Sequence, residues 1–108
     1  MNWVKVCDLP QLTANVGTAA LVEGQQVALF YLPELQPALY ALDNWDPQGE
    51  AFVLSRGIVG DIEGVPCVAS PLYNHHYSLA DGRCLEEEGV YVRSWPVKLE
   101  GEAVYIQV

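Results

Sequence analysis

The chain has 108 residues, 51% of them hydrophobic, which argues against disorder and allows one domain over 1–108 with a core that needs no metal or disulfide staple. Fourteen acidic residues against five basic ones give a net charge of −9, which repels phosphate backbones and anionic bilayers and argues against nucleic acid or membrane as a partner. No apolar run approaches the roughly 20 residues of a membrane span, and Met1-Asn2-Trp3-Val4-Lys5 has no basic region before a long apolar one, so a cytoplasmic protein without a signal peptide is expected.

In chain order, Trp3-Val4-Lys5-Val6 alternates as a first strand, which Asp8-Leu9-Pro10 ends. Thr13 to Gly17 is a loop, and Thr18 to Val22 a second strand. Glu23-Gly24-Gln25 turns into Gln26 to Tyr31, an almost continuously apolar run that fits a strand covered on both sides. Pro33 to Pro37 turns again, and Ala38 to Leu42 returns as a strand. Asp43 to Gly49 is a loop of turn formers around Trp45, and Phe52 to Ser55 is one helical turn or irregular. Gly57 to Asp61 and Val65 to Ala69 form a hairpin across Glu63-Gly64. Ser70-Pro71 breaks the apolar run, because proline cannot donate to a ladder. Tyr77 and Leu79 then alternate with polar neighbours as a half-buried strand, and Asp81-Gly82 makes a tight turn. Glu86-Glu87-Glu88-Gly89 is an exposed acidic turn. Tyr91 to Glu100 and Ala103 to Val108 form a last hairpin across Gly101, with Val97, Leu99, Val104 and Ile106 as its apolar faces. Short, evenly spaced strands without a helical period predict an all-β fold.

The stretch Ser70 to Gly82 resembles the second cluster-binding box of Rieske iron–sulfur domains, Cys-Pro-x-His-Gly-x-x-Phe-x-Leu-x-x-Gly. Pro71, Leu79 and Gly82 match that frame, and Tyr77 replaces its aromatic residue. Ser70 stands at the cysteine, Tyr73 at the histidine and Asn74 at the glycine. Asn44 and Asp46 occupy the spacing of the first box, Cys-x-His. All four ligand positions (Asn44, Asp46, Ser70 and Tyr73) therefore lack a ligand of the usual type.

Nearly the whole chain is similar to the small-subunit family of the assimilatory NAD(P)H-dependent nitrite reductases. The match is carried by Trp3 to Val6, Val27 to Phe30, Tyr40 to Asn44, Leu54-Ser55-Arg56-Gly57-Ile58-Val59-Gly60, Val68-Ala69-Ser70-Pro71-Leu72, the tail Tyr77-x-Leu79-x-x-Gly82, and Pro96-Val97. The resemblance implies a Rieske-like fold of small stacked antiparallel sheets without a cluster. It implies a large-subunit partner that carries sirohaem, a [4Fe–4S] cluster and FAD and reduces nitrite to ammonium. Catalytic, cofactor-binding and metal residues are then expected to be absent from this chain.

Chemistry within the chain has three candidates. Cys7, Cys67 and Cys84 with His75 and His76 would suffice by count for a Rieske cluster. Adjacent histidines on a strand point to opposite faces, however, and Cys67 and Cys84 lie outside the boxes. Zinc on Cys67, Cys84 and one histidine matches no common spacing. A cysteine nucleophile would need a base within reach, which the sequence does not place. The alternative for all three is buried thiols beside a partly exposed histidine pair. Asn44, Asp46, Ser70 and Tyr73 are read either as a polar knot replacing the cluster or as solvated loop residues. Trp3 and Trp95 are assigned to packing. Trp45, Leu72, Tyr73 and His75 are the candidate partner interface, because aromatic side chains with one polar end anchor interfaces. Two other functions compete: a stand-alone binding or regulatory module, and a ferredoxin-type electron carrier.

Overall fold

A computed structural model describes residues 2–108; Met1, part of the N-terminal stretch read above, lies outside the described residues. Among the described residues, eleven strands form four small antiparallel sheets. The central one joins β2 (Gly17–Val22), β3 (Gln25–Tyr31) and β4 (Leu39–Asp43) in that order. A second holds β11 (Ala103–Gln107) between β1 (Trp3–Asp8) and β10 (Val97–Glu100). A third orders β7 (Ile58–Ile62), β8 (Val65–Ala69) and β9 (His76–Ser78), and β5 (Trp45–Asp46) pairs with β6 (Ala51–Phe52). The all-β expectation is borne out.

The continuous apolar run of β3 has a direct cause. Successive side chains of a strand point to opposite faces. Val27 and Leu29 enter one core with Leu39, Ala41, Trp95, Val104 and Ile106. Ala28 and Phe30 enter the other with Tyr40, Leu42, Leu54, Val68 and Tyr77. The central sheet is thus the middle layer, and polar alternation has no place in it.

The turn residues behave as their chemistry requires. Glu23-Gly24 and Glu63-Gly64 both take positive φ, at 49° and 81° and at 51° and 84°, the pattern of type I′ hairpins. Four expectations need correction. Residues 91–96 are not a strand; their pairing is confined to the bridges Arg83↔Tyr91 and Leu42↔Ser94. The segment crosses between sheets, so its backbone bonds are scattered among partners instead of forming a ladder. The loop 43–49 contains β5, whose Trp45 pairs with Phe52. On β9, Tyr77 and Ser78 are both buried, so that strand is covered on two faces and not half-buried. Leu99 is exposed although its partner Val104 is buried, because it lies past Val97 toward the end of an edge strand that no layer covers there.

Gly82 closes the turn after β9, where its N–H donates to Ser78 O at 2.8 Å and its φ is 79°. A Cβ there would collide with the Val92 carbonyl oxygen, whereas one at Gly24, also at positive φ, would meet nothing within 4 Å. Gly82→Ala is therefore expected to destabilise by more than the about 1–3 kcal/mol of backbone strain alone, and Gly24→Ala by no more than that strain. Paired thermal melts check the order; equal Tm losses would show that the Val92 approach carries no weight.

Candidate functional site

The two former ligand loops meet at a buried carboxylate. Strand alternation on β5 sends Trp45 outward and Asp46 inward, and Asp46 is fully buried. Its carboxylate accepts hydrogen bonds from Ser70 Oγ at 2.5 Å, Tyr77 Oη at 2.9 Å and Gln48 N at 3.0 Å, and another from Gly49 N–H. Ser70 Oγ also accepts from Leu72 N at 3.1 Å, and Ser70 N donates to His75 O at 2.9 Å, closing the second loop on itself. A Cβ on Gly49 would meet Leu72 Cδ1 at 2.7 Å and Asp46 Oδ2 at 2.8 Å, so glycine is what lets the loops close.

Burial opposes ionisation of Asp46, but the bonds from Ser70, the Gln48 backbone, Tyr77 and the Gly49 backbone outweigh it and hold the carboxyl below its ordinary range. Burial and the adjacent Asp46 push the Tyr77 hydroxyl well above its ordinary value, so it stays a donor. The Tyr77 oxygen also lies 2.7 Å from Gln48 Oε1, and Gln48 Nε2 donates to Glu87 Oε2 at 2.5 Å. This chain of contacts links the knot to the acidic turn. Glu86 in that turn accepts from His76 N at 2.8 Å and lies 2.6 Å from His76 Nδ1. Burial is the largest single influence on the Glu86 carboxyl and raises it, but the His76 backbone and ring contacts and the Cys84 thiol together reverse it and leave it lowered.

The four ligand positions are divided among three roles. Asp46 and Ser70 join each other. Asn44, buried, donates from Nδ2 to Gln26 Oε1 at 3.1 Å and accepts from Ser55 N at 2.7 Å through Oδ1. Tyr73, with φ 62°, points away and is 75% exposed, which removes it from the knot. Asn74 follows at φ 55°, a conformation open to glycine and tolerated by asparagine. Tyr77 and Gln48, read only as a frame aromatic and a turn former, complete the knot instead. The signal was a tyrosine where the box has phenylalanine, in a chain with Asp46 at a ligand position.

A [2Fe–2S] cluster does not fit these residues. The Asp46 and Ser70 oxygens are spent on each other, the Asn44 amide spans Gln26 and Ser55, and Tyr73 faces outward. Among the described residues no group of three His, Cys, Asp or Glu side chains could hold a metal. Cys67 and Cys84 are buried, and burial, then Asp61 and Glu86, raise the Cys67 thiol. Cys7 is only half-buried, contrary to expectation. Trp95 is core, its Nε1 donating to Asp43 Oδ1 at 2.8 Å. Trp3 is not core; it is exposed, with Lys98 Nζ 4.4 Å from its ring centre. Of the candidate interface residues, Trp45 stacks edge-on against Phe52 at 4.9 Å, Leu72 lies over Gly49, and His75 is half-buried with its Nδ1 unpaired.

The knot sets a pH dependence. Asp46 has its pKa depressed by folding, so its stabilisation is complete above the unfolded value near about 3.9 and is lost as pH falls through the lower folded value. Ser70→Ala and Tyr77→Phe should each destabilise by about 1–3 kcal/mol at neutral pH, since each leaves a buried carboxylate short of a donor. Both should shift the acid-unfolding midpoint upward. Denaturant melts at pH 7 and pH 3 check this; wild-type midpoints in both variants would show that the bonds do not hold the loops.

Comparison with known proteins agrees with this geometry. The family described as the Rieske-like [2Fe-2S] domain matches residues 2–107. The nitrite reductase [NAD(P)H] large subunit of Klebsiella oxytoca is 42% identical over 104 residues, which are 96% of this chain and only 11% of that protein. The nitrite reductase (NADH) small subunit of Salmonella typhimurium is 34% identical over 98% of this chain and 97% of its own length. The solution structure of the nitrite reductase [NAD(P)H] small subunit from Erwinia carotovora superposes with a TM-score of 0.79 at 38% identity, covering 98% of this chain and 81% of that one. With a Rieske frame in which three of the four ligand positions, Asn44, Asp46 and Ser70, are given over to hydrogen bonds, the chain belongs to the Rieske-like domain family, among the nitrite reductase small subunits.

Proposed function

We propose that this chain is the small, cofactor-free subunit of a cytoplasmic NAD(P)H-dependent nitrite reductase that reduces nitrite to ammonium in nitrate assimilation. Sirohaem, the [4Fe–4S] cluster and FAD then belong to the large subunit, and so do the catalytic residues. The observation that carries the reading is the likeness to a small subunit along almost its entire length, at 34% identity. The knot of Asp46, Ser70 and Tyr77 supports the cofactor-free part, because it uses two of the four ligand positions, Asp46 and Ser70, for hydrogen bonds. The role of the chain's residues is accordingly to hold a surface in shape for the partner. Of the residues expected at that surface, Trp45, Leu72, Tyr73 and His75, the side that carries Trp45 is the part offered to it. No helix among the described residues is long and apolar enough to cross a membrane.

Two measurements test this. Added to the purified large subunit of the same organism, the chain should co-elute with it and raise NAD(P)H-driven nitrite reduction several-fold. No complex and no change in rate would overturn the assignment. Anaerobic reconstitution with iron and sulfide should leave the isolated chain colourless; stoichiometric iron and acid-labile sulfide would overturn the cofactor-free reading alone.

A further inference from the structure

Of the residues expected at the interface, only Trp45 lines a well-defined groove. Tyr73 stands on the second loop, whereas Trp45 lines a groove of about 300 Å³ with Leu21, Gln25, Gln26, Asp43 and Phe52. No residue of the second loop contributes to that groove. Its walls carry three exposed large apolar side chains: Leu21 is 72% exposed, Phe52 50% and Trp45 38%. On the central sheet Leu21 opposes Gln26, Ala19 opposes Ala28 and Gly17 opposes Phe30, so the pleat puts all six on one face. The 3-10 turn Leu54–Arg56 lies against β2 and β3, and Leu54 enters the core that holds Ala28 and Phe30. At the Leu21–Gln26 end the same face stays open.

We propose that this groove receives a segment of the nitrite reductase large subunit that presents an apolar side chain next to lysine or arginine. The inference rests on the reading of the chain as the small subunit. Contiguous exposed apolar surface with a polar rim marks interaction sites, and an exposed tryptophan is a frequent anchor. The floor is fixed in advance. Gln26 is held at its side chain by Asn44 Nδ2 and at its carbonyl by Asn44 N, both at 3.1 Å. A former ligand position has thus become the brace of the groove. One wall is the two-residue ladder that stacks Trp45 on Phe52. Preorganised surface of this kind binds with little ordering cost.

Charge selects the occupant. Asp43, whose Oδ1 also accepts from Trp95 Nε1, is in the wall, and Glu23 belongs to the turn whose Gly24 lines it, while none of the five basic residues lines it. A second copy of this chain would bring its own −9 against the same sign. A basic, apolar segment complements both wall and rim, and its cation gains further from the aromatic faces. The Klebsiella large subunit points to where such a segment resides: there a stretch like this chain is 11% of one polypeptide that also forms the rest of the large subunit.

The test titrates the full chain with purified large subunit at low and high salt. Leu21→Lys and Trp45→Ala should each raise Kd by about 30-fold, the equivalent of a hot-spot loss of about 2 kcal/mol. Wild-type affinity should fall with salt, and Tyr73→Ala should change Kd less than about 3-fold, the range of an energetically neutral contact. Leu21 is so exposed that its lysine variant keeps the wild-type Tm, which separates lost binding from lost folding. Wild-type affinity in both groove variants would overturn the inference, and loss only in Tyr73→Ala would transfer the interface to the second loop. A wild-type dimer that Leu21→Lys dissociates would also overturn it, in favour of a second copy. Failure of the wild-type chain to bind the large subunit at all would instead remove the small-subunit reading itself.

Discussion

Everything at the loop end of the fold depends on one buried carboxylate. Asp46 has no solvent of its own, yet it stays ionised because four donors converge on it. Those donors come from both loops and from β9, so a single group fixes three segments that sequence separates widely. A buried charge without such partners would be costly, and a neutral side chain at position 46 would leave donors unpaired. Donors and carboxylate therefore constrain one another, and the loop positions follow from that mutual requirement.

The loops can be held this way only because the middle layer beneath them is rigid. β3 and β4 feed two cores at once, with Val27, Leu29, Leu39 and Ala41 on one side and Ala28, Phe30, Tyr40 and Leu42 on the other. Tyr77 takes part in both levels: its ring lies in the core of Phe30 and Leu54, and its hydroxyl reaches Asp46. The ring anchors the knot to the hydrophobic layer, so packing and polar satisfaction are met by one side chain.

How much of this was legible in the sequence follows from how local each signal is. The strand over 25–31 was readable because burial on both faces erases alternation within a few residues. The Glu-Gly hairpins were readable because left-handed backbone restricts the residue types a turn accepts. The fates of Asn44, Asp46, Ser70 and Tyr73 were not. They occupy equivalent places in a motif, but their partners (Gln26, Ser70, Asp46 and none) are set by tertiary approach. The bond from Tyr77 to Asp46 spans 31 residues and leaves no periodic trace. Likewise the 91–96 segment has the apolar, β-branched look of a strand, but the space it crosses offers it only isolated bridges.

The hydrogen bonds that converge on Asp46 are made by oxygen and nitrogen atoms. A closure made of thiolates and metal is dismantled by oxidants and must be loaded before it holds. A closure made of a carboxylate, two hydroxyls and backbone amides forms as the chain folds and is indifferent to oxygen. Its integrity responds to proton activity instead. At this end of the molecule the fastening between the loops is an acid-sensitive one.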